Sequence, residues 1–129
     1  MLGLPQTGAA LVSAIALGLD FGSLELLSKV LSVSPYDVGE AIHLSSSTFL
    51  RRKKEGRLQP DESDRLLRFS QIIARAVQLF EGDSAAAGRW LNRPARALGG
   101  NTPLKYAQTH VGAQEVEDLI GRLEEGVFA

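Results

Sequence analysis

The segment SPYDVGEAIHLSSSTFLRRKKEG, Ser34–Gly56, holds two helix starts and a helix stop, and its reading decides the fold. Ser34 is suited to cap a helix whose first residue is Pro35, because proline has no N–H to leave unsatisfied there and its φ is already helical. Asp37 lies in the first turn, where the positive end of the helix dipole favours a carboxylate. Val38, Ala41 and Ile42 recur on one face and define its buried side. Ser45 or Ser46 then caps a second helix, anchored by Phe49 and Leu50 and stopped by Gly56. Two short helices joined by the tight HLS connection are what a helix-turn-helix requires: the first braces the backbone and the second enters the major groove.

The second helix carries the charge. From Arg51 to Arg57 five basic residues face one acidic residue, Glu55, a local +4 in a chain of formal net charge -1, which leaves -5 for the remainder. A basic run alone reads as a solvated helix face; on the second helix of a helix-turn-helix it reads as a DNA-contacting surface. Ser46, Ser47 and Thr48, near the start of that helix, are placed closest to base edges and phosphates. Arg51, Arg52, Lys53 and Lys54 can neutralise the backbone or reach guanine O6 and N7; Arg51 and Arg52 lie closer to the hydroxyl-rich start, and Lys54 and Arg57 are the further phosphate candidates. Successive helical residues point about 100° apart, so four adjacent cations cannot share one direction and some serve solubility alone.

Working outward, SLELLSKVL (Ser23–Leu31) reads as a helix capped by Ser23 with Leu24, Leu27, Val30 and Leu31 inward. Downstream, QPDESDRLLRFSQIIARAVQLFEG (Gln59–Gly82) starts at Pro60 and Asp61. Leu66, Phe69, Ile73, Val77 and Phe80 recur every three or four residues, widened by Leu67 and Ile72, opposite a polar face of Asp64, Arg68, Gln71, Arg75 and Gln78. At 1.5 Å per residue such a helix runs roughly 30 Å. Asp83 or Ser84 caps a short helix through Trp90 and Leu91. In ARALGGNTPLKYA the paired glycines Gly99 and Gly100 read as a packing turn before a Thr-Pro helix start, since no phosphate-loop pattern is present. The last segment, GAQEVEDLIGRLEEGVFA (Gly112–Ala129), is a helix with Val116, Leu119, Ile120 and Leu123 inward and an exposed EEGVFA end.

Composition fits this reading. The chain has 129 residues, 44% hydrophobic and 22% charged, the make-up of a folded protein of one compact domain or two small lobes. With no cysteine there is neither a disulfide framework nor a thiolate metal site, as suits a reducing cytoplasm. His43 and His110 stand far apart in no ligand-spaced motif, so no metal or cofactor is expected. The apolar stretch GAALVSAIALGL (Gly8–Leu19) is too short to span a membrane and has no preceding Lys or Arg, so it reads as a short buried helix and not an export signal. The expectation is an all-α protein with an N-terminal extension (1–20), a helix-turn-helix lobe with its long connecting helix (21–81) and a small helical C-terminal domain (82–129).

From Arg89 to Ala129 the sequence RWLNRPARALGGNTPLKYAQTHVGAQEVEDLIGRLEEGVFA resembles the toxin-binding domain of the Xre/MbcA/ParS antitoxin family. The pattern is Trp-Leu, Ala-Leu-Gly-Gly, Thr/Ser-Pro-Leu and a Gly-Arg-Ile-Glu-x-Gly-Val-Phe ending. Upstream, the Ser34–Gly56 segment and its flanks resemble the Xre-like helix-turn-helix of the same antitoxins, so the likeness runs from about Phe21 to Ala129. The chain departs from it at Pro94-Ala95-Arg96, where the family often has Pro-Asn, and at Glu125, where an aromatic or His is common.

The resemblance implies a bacterial antitoxin that neutralises a RES-domain toxin, which consumes NAD by degradation or by ADP-ribosyl transfer. It also implies a homodimer that binds operator DNA. In the family the C-terminal segment reaches the toxin's active-site cleft, which places Arg122, Glu124, Glu125, Gly126, Val127, Phe128 and Ala129 in toxin binding. The charge suits that role: Gly112–Ala129 carries Glu115, Glu117, Asp118, Glu124 and Glu125 against Arg122, a local -4, and a site that binds NAD phosphates is electropositive. The rival reading is a stand-alone repressor whose C-terminal lobe dimerises or binds a small ligand. An enzyme has little support, because Glu124 and Glu125 are adjacent and no Ser, His and acid arrangement follows from the spacing.

Overall fold

The structure, a computed structural model, describes residues 18–126. The short helix expected over Gly8–Leu19 and the terminal residues Val127, Phe128 and Ala129 therefore fall wholly or mostly outside the described residues. Those described form seven α-helices and one 3-10 turn: α1 Phe21–Leu31, α2 Pro35–Ala41, α3 Ser46–Glu55, α4 Pro60–Leu79, α5 Ser84–Leu91, the 3-10 turn Arg96–Leu98, α6 Pro103–Tyr106 and α7 His110–Glu124. The all-α expectation holds. Two compact units divide the chain: one takes residues through Lys29 with Val33–Ser70, the other Val30–Ser32 with Gln71 onward. The division falls inside α4, between Ser70 and Gln71.

In the first unit the local signals act as the residue types dictate. Ser34 accepts from the Asp37 N–H at 3.1 Å while Asp37 accepts from the Ser34 N–H at 3.2 Å, a reciprocal cap that satisfies two otherwise orphaned donors. Ser45 caps α3, and Gly56 ends it in the left-handed region at φ +81°. The turn between α2 and α3 places Leu44 inward, its N–H donating to the Gly39 carbonyl at 2.9 Å. Gly39 leaves room for Phe49 of the second helix: a β-carbon there would lie 2.7 Å from the Phe49 ring. Phe49 in turn packs edge-on against Phe21 and Tyr36, with ring centroids 5.3 and 5.5 Å away. The core is completed by Leu24, Leu27, Val38, Ile42, Leu58 and Leu66, each at most 1% exposed. Burying each such side chain stabilises by about 1.5–3 kcal/mol relative to exposure.

Two sequence expectations need correction here. The first helix begins at Phe21 and not after Ser23, because Asp20 accepts from the Gly22 N–H at 3.2 Å and already occupies the capping place. Leu50, expected to anchor α3 beside Phe49, is 63% exposed while Phe49 is 6% exposed. Neighbouring helical positions differ by about 100°, so only one of the pair can face the core.

The second unit is assembled around the C-terminal half of α4. Ile72, Ile73, Ala76 and Val77 are buried, as are Leu91, Leu98, Pro103, Val116, Leu119 and Ile120 within the same unit. Asp83 caps α5, and Phe80 lies 6.3 Å from Trp90 between ring centroids. The ALGG segment closes on itself: Ala95 donates to the Asn101 carbonyl and Gly100 to the Ala95 carbonyl, both at 3.0 Å, making the expected packing turn. Thr102 caps α6 with Pro103 at its first position. The last helix starts at His110, two residues before Gly112, because the Thr109 hydroxyl accepts from the Gly112 N–H at 2.9 Å. Gly112 permits this: a β-carbon there would sit 1.8 Å from the Tyr106 carbonyl oxygen.

Candidate nucleic-acid interface and partner-binding segment

The geometry of α3 separates its residues into two sets. At about 100° per residue, Lys53, Ser46, Leu50, Lys54, Ser47 and Arg51 follow one another around an arc of about 160°. All six are exposed. The opposite side holds buried Phe49 and the half-buried Thr48 and Arg52. Thr48 is drawn into the helix start, where its hydroxyl accepts from Ser45 Oγ at 3.0 Å and its N–H donates to the same oxygen at 3.3 Å. Arg51 remains on the outer arc, where its Nη2 donates to the Thr48 hydroxyl at 3.4 Å. Ser46 shares a hydrogen bond with the exposed hydroxyl of Tyr36, which extends the polar surface onto α2.

Arg52 is placed differently from what its neighbour suggests. Its Nε and Nη2 donate to the two carboxylate oxygens of Glu62 at 2.7 and 3.1 Å, a bidentate pair whose side chains are 12% and 7% exposed. Glu62 also accepts from the Gln59 N–H at 2.8 Å, capping α4 while it holds α3. The hydrogen bond to Glu62 raises the Arg52 pKa above its already high ordinary value, with burial opposing and the Glu55 carboxylate, 3.2 Å away, adding to the rise. A guanidinium held in this way braces α3 against α4, with its fork turned to Glu62 and away from the outer arc where the other expected DNA-contacting residues gather. Arg57 lies beyond the helix; its Nη1 donates to the Gly18 carbonyl at 3.0 Å, which leaves the residue exposed but tied to the residues before α1. Of the expected DNA-contacting residues, the structure brings Ser46, Ser47, Arg51 and Lys54 onto one face. Lys53, the remaining cation of the run, and the apolar Leu50 join them.

In the second unit, Arg122, Glu124, Glu125 and Gly126 are exposed at the end of α7. Glu124 accepts from Arg75 Nη2 at 2.9 Å, and Arg75 Nη1 reaches the Glu117 carbonyl at 3.4 Å. This pair is over a third exposed on both sides. Gly126 follows the helix at φ +79°, where the chain leaves its helical course. At the opposite end of α7, Asn101, Lys105, Tyr106, Thr109, Val111 and Gly112 line a shallow cleft of about 300 Å³, with Val111 68% exposed. The Glu115 carboxylate raises the pKa of the Tyr106 hydroxyl beside it. No cluster of three or more metal-ligating side chains occurs among the described residues, and none of their helices is long and apolar enough to cross a membrane.

The fold and these two surfaces define an all-helical protein with a helix-turn-helix and a separate small helical domain near its C-terminus. Residues 10–71 match the antitoxin Xre-like helix-turn-helix domain, and residues 75–126 match the antitoxin Xre/MbcA/ParS C-terminal toxin-binding domain. An antitoxin Xre of Yersinia enterocolitica is 37% identical over 130 residues, covering 99% of this chain and 88% of the relative. An antitoxin Xre of Photorhabdus laumondii is 34% identical over 108 residues, covering 81% and 73%. A protein of Sphingobium named a Prs ADP-ribosylating antitoxin is 24% identical over 129 residues, covering 92% and 80%. The chain belongs to the Xre/MbcA/ParS antitoxin family.

Proposed function

We propose that this chain holds a cognate RES-domain, NAD-consuming toxin inactive by lodging its C-terminal segment, Arg122 and Glu124–Ala129, in the toxin's active-site cleft. We further propose that as a homodimer it binds the operator of its own operon through the outer arc of α3. The observation that carries both parts is the succession of two domain matches, one over the helix-turn-helix and one over the C-terminal unit. The acidic excess of Gly112–Ala129 supports the first part, because a cleft that binds NAD phosphates attracts anionic side chains. The name of the Sphingobium relative associates that protein with ADP-ribosylation, and so favours a partner that uses NAD. For the second part, Arg51, Lys53 and Lys54 supply the charge, and a two-fold dimer reads half-sites roughly 34 Å apart.

The deciding experiment on the toxin is removal of Gly126–Ala129. The shortened protein keeps its helical circular dichroism, since this segment follows the last helix, and the toxin's NAD consumption resumes. Continued silence of the toxin at equal stoichiometry rejects occlusion by the tail. On the DNA side, Arg51→Ala and Lys54→Ala each lower the slope of log affinity against log salt by about one, the signature of one fewer phosphate neutralised. Slopes equal to that of the unaltered protein remove both residues from the interface.

A further inference from the structure

We propose that Leu50 is a sequence-reading contact, its side chain packing on the C5-methyl group of a thymine in the major groove. This rests on the proposal that α3 binds DNA and adds what the charges cannot supply, a preference for one base. Leu50 is 63% exposed, and it stands near the middle of the outer arc of α3, with Ser46 on one side and Lys54, Ser47 and Arg51 on the other. Its exposure is not needed to anchor the helix, because Phe49 at 6% exposed already does so with Phe21 and Tyr36. Nor does Arg52 compete for the groove, being held by Glu62.

The occupant follows from the surroundings. Hydroxyls and cations ring the leucine, and such a ring is matched by phosphates and base edges and not by the apolar surface of a second protein. On the major-groove edge the four base pairs present hydrogen-bonding groups that a leucine cannot use. Thymine alone adds a methyl group. Bringing the leucine against that methyl removes apolar surface from water on both sides, while Ser46, Ser47 and Arg51 remain free to use neighbouring polar groups.

The test uses duplexes selected by the full-length protein from a random pool, with each thymine of the enriched sequence replaced in turn by deoxyuridine, which differs only in lacking the methyl. At least one such replacement weakens binding of the unaltered protein about three- to fivefold, the loss expected for one buried methyl. Leu50→Ala folds with an unchanged melting temperature, binds the thymine duplex about five- to tenfold more weakly, and no longer distinguishes uracil at that position. Indifference of the unaltered protein to every replacement, with salt-dependent binding intact, overturns the leucine contact and leaves the DNA-binding proposal standing. So does a Leu50→Ala protein that keeps the same sensitive position. Failure of the pool to enrich any sequence, with no salt-dependent binding, overturns DNA binding itself and this contact with it.

Discussion

Arg52 Nε lies 2.7 Å from Glu62 in the first unit, and Arg75 Nη2 lies 2.9 Å from Glu124 in the second. By length the two pairs are near equals; by depth they are not. The side chains of the first pair are 12% and 7% exposed, those of the second 37% and 36%. Water screens the second pair and can replace either partner, so it contributes little to stability. In the first, each group has given up most of its hydration and depends on the other. Burial, not distance, therefore separates a brace from a releasable tie. The tie is at the end of the helix that precedes the proposed toxin-binding tail, where a partner's cations can take over Glu124 at small cost.

The comparison breaks most readily at Glu62. Glu62→Ala strands the Arg52 guanidinium and costs about 3 kcal/mol in urea denaturation, within the range for removing one partner of a buried pair. A loss below about 1 kcal/mol would put this pair in the same class as its exposed counterpart. Next in size is Gly112→Ala. The added carbon would meet the Tyr106 carbonyl at 1.8 Å, backbone against backbone, so the variant loses about 2 kcal/mol despite alanine's better helix propensity. Gly121→Ala, in the same helix with only Arg75 Nη2 nearby at 3.7 Å, gains about 0.5 kcal/mol instead. Opposite signs in one helix separate the glycine that a close backbone approach requires from the one that nothing crowds. The smallest effect belongs to Glu124→Ala, about 0.5 kcal/mol or less by the same denaturation measurement. A loss as large as that of Glu62→Ala would erase the distinction.

What the sequence made legible is what depends on near neighbours in the chain. Ser34, Ser45, Asp83 and Thr102 cap the helices they precede, and Gly56 stops α3, because each acts within about three residues. The buried stripe of α4 follows from its spacing. Leu50 was within reach as well: once Phe49 is assigned to the core, the phase of the helix turns the next residue outward, and only its apolar character argued otherwise. The role of Arg52 was not legible. Its partner lies ten residues away on another helix, and nothing in RRKK distinguishes the arginine that turns inward from the one that stays out. Likewise α7 begins earlier than its apolar pattern indicates, since the hydroxyl of Thr109 and the absent side chain of Gly112 set the start together. Of the expected toxin-binding residues, Val127, Phe128 and Ala129 lie outside the described residues, so their assignment rests on the family resemblance.

The split of α3 into an inward and an outward row makes the helix a natural cassette. Phe49 and Arg52 hold it in its seat by contacts that positions 46, 47, 50, 51, 53 and 54, all exposed, do not share. A transplanted outer row therefore leaves the interior untouched, so the DNA preference proposed for this row can be rewritten one position at a time on a chassis that still folds.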